Sequence, residues 1–138
     1  MLVSVIGQVL IPITIAVAQQ TIVTANQVNG TWRNRNGEFK IWALGKQRLR
    51  IEFSGVYEYS SPYGPMANTG EGAGTAFIEG DIAVFKPNGV DDDCKIVLRF
   101  KKNILIVEQN GICGFGHNVS AAGRYPKVSG KKPKFNPN

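Results

Sequence analysis

The stretch Arg48-Leu49-Arg50-Ile51-Glu52-Phe53 decides the fold. Leu49, Ile51 and Phe53 occupy every second position, with Arg48, Arg50 and Glu52 between them. Successive side chains of an extended chain point to opposite faces, so this spacing predicts a strand with one face in a core and the other in water. Upstream, Phe39, Ile41 and Ala43 alternate with Lys40 and Trp42, and Leu44-Gly45-Lys46-Gln47 reads as the hairpin turn between the two runs. Downstream, Ser54-Gly55 breaks the alternation and Val56 to Tyr59 continue it past a bulge.

The same pattern recurs toward the C-terminus. Residues 60–74 read as a loop, and the Gly-rich Gly70-Glu71-Gly72-Ala73-Gly74-Thr75 as a flexible segment that could serve as a lid over a barrel mouth. Thr75 to Ile78 and Ile82 to Phe85 flank the turn Glu79-Gly80-Asp81. Ile96, Leu98 and Phe100 alternate with Lys95, Val97 and Arg99, and Ile104 to Val107 run back after Lys101-Lys102-Asn103. The last strand is assigned to residues 117–125, with His117, Val119, Ala121, Gly123 and Tyr125 sharing one face. No stretch keeps a helical period over three turns. The chain is therefore expected to be all-β, a small antiparallel meander barrel of about eight strands whose closure removes the free edges. A two-sheet β-sandwich is the alternative.

The 138 residues suit one domain, and 43% apolar with 19% charged residues is a globular composition. Residues 1–18 carry no charge and end in Ala16-Val17-Ala18, which reads as a signal peptide although no Lys or Arg precedes the apolar run. The organisation expected is a signal peptide over 1–18, one barrel domain over 19–126 and a basic disordered tail over 127–138. The net charge is +6, and Lys127, Lys131, Lys132 and Lys134 supply four of those charges, leaving +2 for the rest. The tail reads as solvated, with contact to an anionic surface as the sharper alternative.

Cys94 and Cys113 are the two cysteines. With a turn at residues 101–103, Cys94 falls opposite roughly residue 110, so the two thiols lie close across a hairpin. In an exported chain that predicts a disulfide. A metal reading would take Cys94, Cys113 and His117 with one of Asp91, Asp92 or Asp93, and it is set second. No nucleophile motif accompanies His117, the single histidine, and no cofactor motif is present. The expected catalytic residues, metal sites and cofactors are therefore none.

Two segments resemble known families. Gly30-Thr31-Trp32 resembles the Gly-x-Trp opening of the calycin barrels, the lipocalins and avidins. That likeness implies an Arg from the last strand packed over the Trp, here Arg124 over Trp32, closing the barrel end. Of the avidin biotin-site residues that follow, only Asn34 matches, so biotin binding is not implied. Cys113-Gly114-Phe115-Gly116-His117-Asn118-Val119-Ser120-Ala121-Ala122-Gly123-Arg124-Tyr125, with Cys94-Lys95-Ile96, resembles the end of a group of uncharacterised exported bacterial β-barrel proteins. It implies an extracytoplasmic setting, periplasmic or secreted, and the Cys94–Cys113 pair.

Two functions follow as expectations. The first is a non-enzymatic exported barrel holding a small apolar or amphipathic ligand among Trp32, Phe39, Trp42, Phe53, Tyr57, Phe77 and Phe85, provided room remains inside. The second is a structural or inhibitory envelope protein with a solid core, acting through surface loops on a protein or an anionic polymer. No nucleic-acid partner and no transmembrane span in the mature chain are expected.

Overall fold

The computed structural model describes residues 23–137, together with Gly7. The signal-peptide reading of residues 1–18 lies outside the described residues. The alternating runs become eight antiparallel strands: β1 (Gly30–Asn34), β2 (Gly37–Gly45), β3 (Arg48–Ser61), β4 (Gly64–Glu79), β5 (Ile82–Phe85), β6 (Lys95–Lys101), β7 (Ile104–Asn110) and β8 (Gly123–Ser129). Each pairs with the next, and β8 returns to β1, so the sheet closes into a barrel rather than two sheets. Register follows the apolar phase: Phe39 faces Phe53, Ile41 faces Ile51 and Ala43 faces Leu49. A slip of one residue would turn this whole set outward, so the register is strongly specified.

Trp32, Phe39, Phe53, Phe85, Tyr125, Ile41, Leu49, Ile51, Ile96, Leu98 and Leu105 are buried almost completely. Their rings meet across the interior. Phe39 lies 4.8 Å from Phe53 and 5.0 Å, edge-on, from Tyr125. An eight-stranded barrel is just wide enough to be filled by side chains or to hold one small ligand, and here bulky side chains occupy it. One end is capped by the short helix α1 (Ala25–Val28), where the Trp32 indole donates to the Val28 carbonyl at 3.0 Å. The other end is plugged by residues 111–122, whose Phe115, Val119 and Ala121 are buried. Phe115 sits edge-on against Phe53 at 5.0 Å.

Several expectations are corrected. Residues 117–122 are not strand. Asn118 takes φ 61°, Val119 N–H turns back to Gly116, and Ala121 N–H donates to the Gln109 side chain instead of a ladder. His117 is consequently exposed, not packed. Residues 64–74 are strand, not a loop. Gly70, Gly72 and Gly74 recur at the inward phase of β4, where the missing side chains leave room for neighbours: a Cβ on Gly70 would lie 1.8 Å from the Phe115 carbonyl oxygen.

Further corrections concern the chain end. The barrel domain does not stop at residue 126, because β8 runs to Ser129 and closes on β1 through Thr31 opposite Ser129 and Trp32 opposite Lys127. Tyr125 points inward, so the pleat sends Arg124 out and Lys127 back in. The cation over Trp32 is therefore Lys127, with Nζ 5.0 Å from the ring centroid and donating to the Asn26 carbonyl at 2.9 Å. Partial burial lowers the Lys127 ammonium below the usual lysine range.

Lys127→Ala should lower stability by about 1–2 kcal/mol through the lost cation–π contact and hydrogen bond. Arg124→Ala should stay within about 0.5 kcal/mol. Thermal unfolding of the two variants checks this ordering.

Tyr125 supplies a second test. Its hydroxyl donates to the Ala121 carbonyl at 2.8 Å, and burial pushes its pKa from 10.0 up to about 12. Above pH 10 the unfolded chain releases this proton while the folded chain keeps it, so the contribution is intact below pH 10 and is lost as pH rises toward 12. Denaturant unfolding from pH 9 to 12 should show a steeper alkaline loss of stability in the native sequence than in Tyr125→Phe.

Candidate functional site

The alternation that fills the barrel does not stop at its mouth. The last cross-strand pair between β2 and β3 is Gly37 with Gly55, whereas β3 and β4 stay paired out to Ser61 and Gly64. The two strands therefore project beyond the barrel as a two-stranded arm. Tyr57 and Tyr59 continue the inward phase of Ile51 and Phe53, but nothing covers them as the core covers those residues. Their rings run side by side, with centroids 6.4 Å apart and planes within 20°. Met66, opposite Tyr59, accepts from its hydroxyl at 3.8 Å, and Tyr63 at the tip is 97% exposed.

The base of the arm is braced. The Phe115 backbone packs on Gly70, Val119 lies over Gly55, and the Asn68 side-chain amide donates to the His117 carbonyl at 2.9 Å. That bracing segment is pinned by the Cys94–Cys113 disulfide, whose sequence separation is 19. In the loop-entropy model a closure of this length stabilises the fold by about 3 kcal/mol. Beyond Ala73, whose carbonyl accepts from Asn88 N–H, no strand among the described residues pairs with the outer edge of β4. Main-chain groups of residues 64–68 on that edge are thus without a strand partner, although Pro65 supplies no donor, and at Thr69 the edge meets Gly116 of the plug.

A second surface feature crosses the outside of the barrel. Lys40 and Trp42 on β2 stand opposite Glu52 and Arg50 on β3, all at outward positions. Residues 131–137 lie across this square as a strap. Lys132 Nζ is 5.7 Å from the Trp42 centroid, and Lys40 Nζ donates to the Lys134 carbonyl at 2.8 Å. The Arg50 guanidinium stacks 4.3 Å over Phe135, and Asn136 N–H is shared between the two Glu52 carboxylate oxygens at 2.7 and 2.9 Å. The tail expected to be disordered is thus docked, by Phe135 and by main-chain groups that its lysine-rich composition does not advertise. Beside the strap the surface opens into a groove of about 750 Å³, bordered by Arg50, Glu52, Ser54, Glu71, Thr75 and Asn88.

The remaining candidates separate. The disulfide occupies both sulfurs, so Cys94 and Cys113 cannot join His117 as metal ligands. Asp91, Asp92 and Asp93 are exposed, and the Lys86 ammonium, hydrogen-bonded to Asp92, holds that carboxyl below the usual range. Of the aromatic residues assigned to a ligand cavity, Trp32, Phe39, Phe53 and Phe85 fill the interior. Trp42, Tyr57 and Phe77 do not face it; Phe77 points outward opposite Val84 on β5. The reading missed Tyr59, Tyr63, Met66 and Phe135, and the usable signal was a Tyr57/Tyr59 spacing that kept strand phase into a supposed loop. No protein-family model matches this chain, and no curated protein or solved structure is detectably similar to it.

Glu52→Gln removes the charge that holds the strap's end. The expected loss in strap docking is about 1–2 kcal/mol. Amide hydrogen exchange at Asn136 should accelerate by about tenfold or more, while core amides such as Ile51 stay protected.

Proposed function

We propose that this chain is an exported, non-enzymatic β-barrel that acts through its surface, engaging a protein partner with the β3–β4 arm. The observation that carries the reading is the gathering of Tyr57, Tyr59, Tyr63 and Met66 on a braced projection with an open strand edge. Tyr and Met are enriched at protein interfaces, Tyr because it joins a large ring to a polar tip and Met because its flexible thioether fits varied surfaces. The open edge of β4 adds main-chain groups that an extended partner segment can pair with. Rigidity at the base favours this use, because an arm already ordered loses little freedom on binding.

A ligand held inside the barrel is the weaker reading, since it needs the space taken by Phe39, Phe53, Phe85 and Tyr125. Export is supported by the disulfide, which suits an oxidising compartment, by the uncharged first 18 residues, and by the likeness of the ending to exported bacterial proteins. No helix among the described residues is long and apolar enough to cross a membrane. A binding role is also favoured by the state of the three side chains best suited to nucleophilic or acid–base work: both cysteines are bonded and His117 lies in an exposed loop.

A photo-crosslinking amino acid at Tyr59 should yield a discrete protein adduct in the producing cell, whereas the same group at Arg99, on the outer face of β6, should not. Absence of any adduct from Tyr59, or the same adduct from both positions, would overturn the reading.

A further inference from the structure

We propose that the strap and the outer β2–β3 face beneath it form a binding surface for an anionic glycan, a linear polymer bearing carboxylate, sulfate or phosphate groups. The proposal rests on a different surface from the arm and stands independently of it. Docking of residues 131–137 brings Lys131, Lys132 and Lys134 onto the face that already carries Lys40 and Arg50. The acids of this face are engaged: Glu38 is ion-paired with Arg33, and the buried Glu52 carboxylate accepts the Asn136 N–H. Glu71 borders the groove beside the strap and marks the limit of the cationic region.

Holding three lysines beside two further cations is electrostatically unfavourable, and a free tail would relieve the repulsion by drifting into water. Phe135 under Arg50 and Asn136 on Glu52 prevent that. The structure thus gathers five cations around the single Glu52 carboxylate, an arrangement suited to a polyanion. Pro133 and Pro137 stiffen the strap, and at about 3.3 Å per extended residue its lysines span about 10 Å, a row suited to a linear chain of charges. The two rings of this face, Trp42 and Phe135, lie beneath Lys132 and Arg50. A cation thus already occupies one face of each ring, which reduces the ring surface left for an acyl layer or stacked bases and favours a glycan over a membrane or a nucleic acid.

The test measures binding of the intact protein to dextran sulfate and polygalacturonate, with neutral dextran, anionic phosphatidylglycerol vesicles and single-stranded oligothymidylate as comparisons. The polyanionic glycans should bind in low salt and neutral dextran should not. The triple change Lys131→Gln, Lys132→Gln, Lys134→Gln leaves the strap's main-chain bonds and Phe135 in place. It should weaken glycan binding by about tenfold or more and reduce the slope of log affinity against log salt by about 2–3. The matched triple Lys95→Gln, Arg99→Gln, Lys102→Gln removes equal charge elsewhere and should change affinity by less than about twofold. Equal losses in both triples would reduce the effect to net charge and overturn the proposal. Tighter binding to the vesicles or the oligonucleotide than to either glycan would overturn it as well. Tyr59→Ser should leave glycan binding unchanged, so this result and the arm reading fail separately.

Discussion

The seam between β1 and β8 is the constraint on which the rest depends. It is short, with Thr31 opposite Ser129 and Trp32 opposite Lys127 across a register irregularity. A meander leaves its first and last strands as free edges, and only their pairing removes both. Closure here also sets side-chain direction. Because Lys127 must lie opposite Trp32, Tyr125 two residues earlier points into the core, where its hydroxyl reaches Ala121 and its ring meets Phe39. The chain leaves β8 beside β1, from where residues 130–136 cross the outside of β2 to Arg50 and Glu52 on β3. Closure therefore sets where the strap begins, and Arg50 and Glu52 set where it docks.

Much of the barrel was legible because alternation is a local signal. Leu49, Ile51 and Phe53, and later Ile96, Leu98 and Phe100, declare a buried face without reference to anything distant. The disulfide was legible for the same reason, since Lys95 pairs with Asn110 and places Cys94 within reach of Cys113. The errors came where identity depends on a distant partner. Gly70, Gly72 and Gly74 resemble a flexible linker, yet they are strand positions emptied for Phe115, Pro87 and Phe85. Nothing within residues 60–74 announces those neighbours.

The strap and the covered tryptophan were misread for a related reason. A lysine-rich segment predicts solvation when its own side chains are counted, but this one docks largely through the Lys134 carbonyl and the Asn136 N–H. Main-chain groups are the same in every sequence and carry no compositional signal. The assignment of Arg124 to Trp32 failed by the smallest possible step, a strand phase that runs through Lys127 instead. That phase is fixed by where β8 begins, and β8 begins at Gly123 because residues 111–122 are committed to plugging the barrel end.

Strand β3 shows how one pleat serves three ends. Its outward Arg50 and Glu52 hold the strap, and its inward Leu49, Ile51 and Phe53 fill the core. Tyr57 and Tyr59 keep that inward phase after the barrel has ended. Their side of the arm is therefore a core face without a core. β2 ends at Gly37, and the plug reaches along the arm only as far as His117, whose carbonyl meets Asn68 opposite Tyr57, so Tyr57 and Tyr59 stay exposed. A face patterned for burial and left open is costly to solvate, and the strand edge beside it is blunted only at Pro65, at Glu71 and where Gly116 meets Thr69. Such an arrangement is relieved when something else covers it, which is why the proposed binding role rests on the arm rather than on the filled interior.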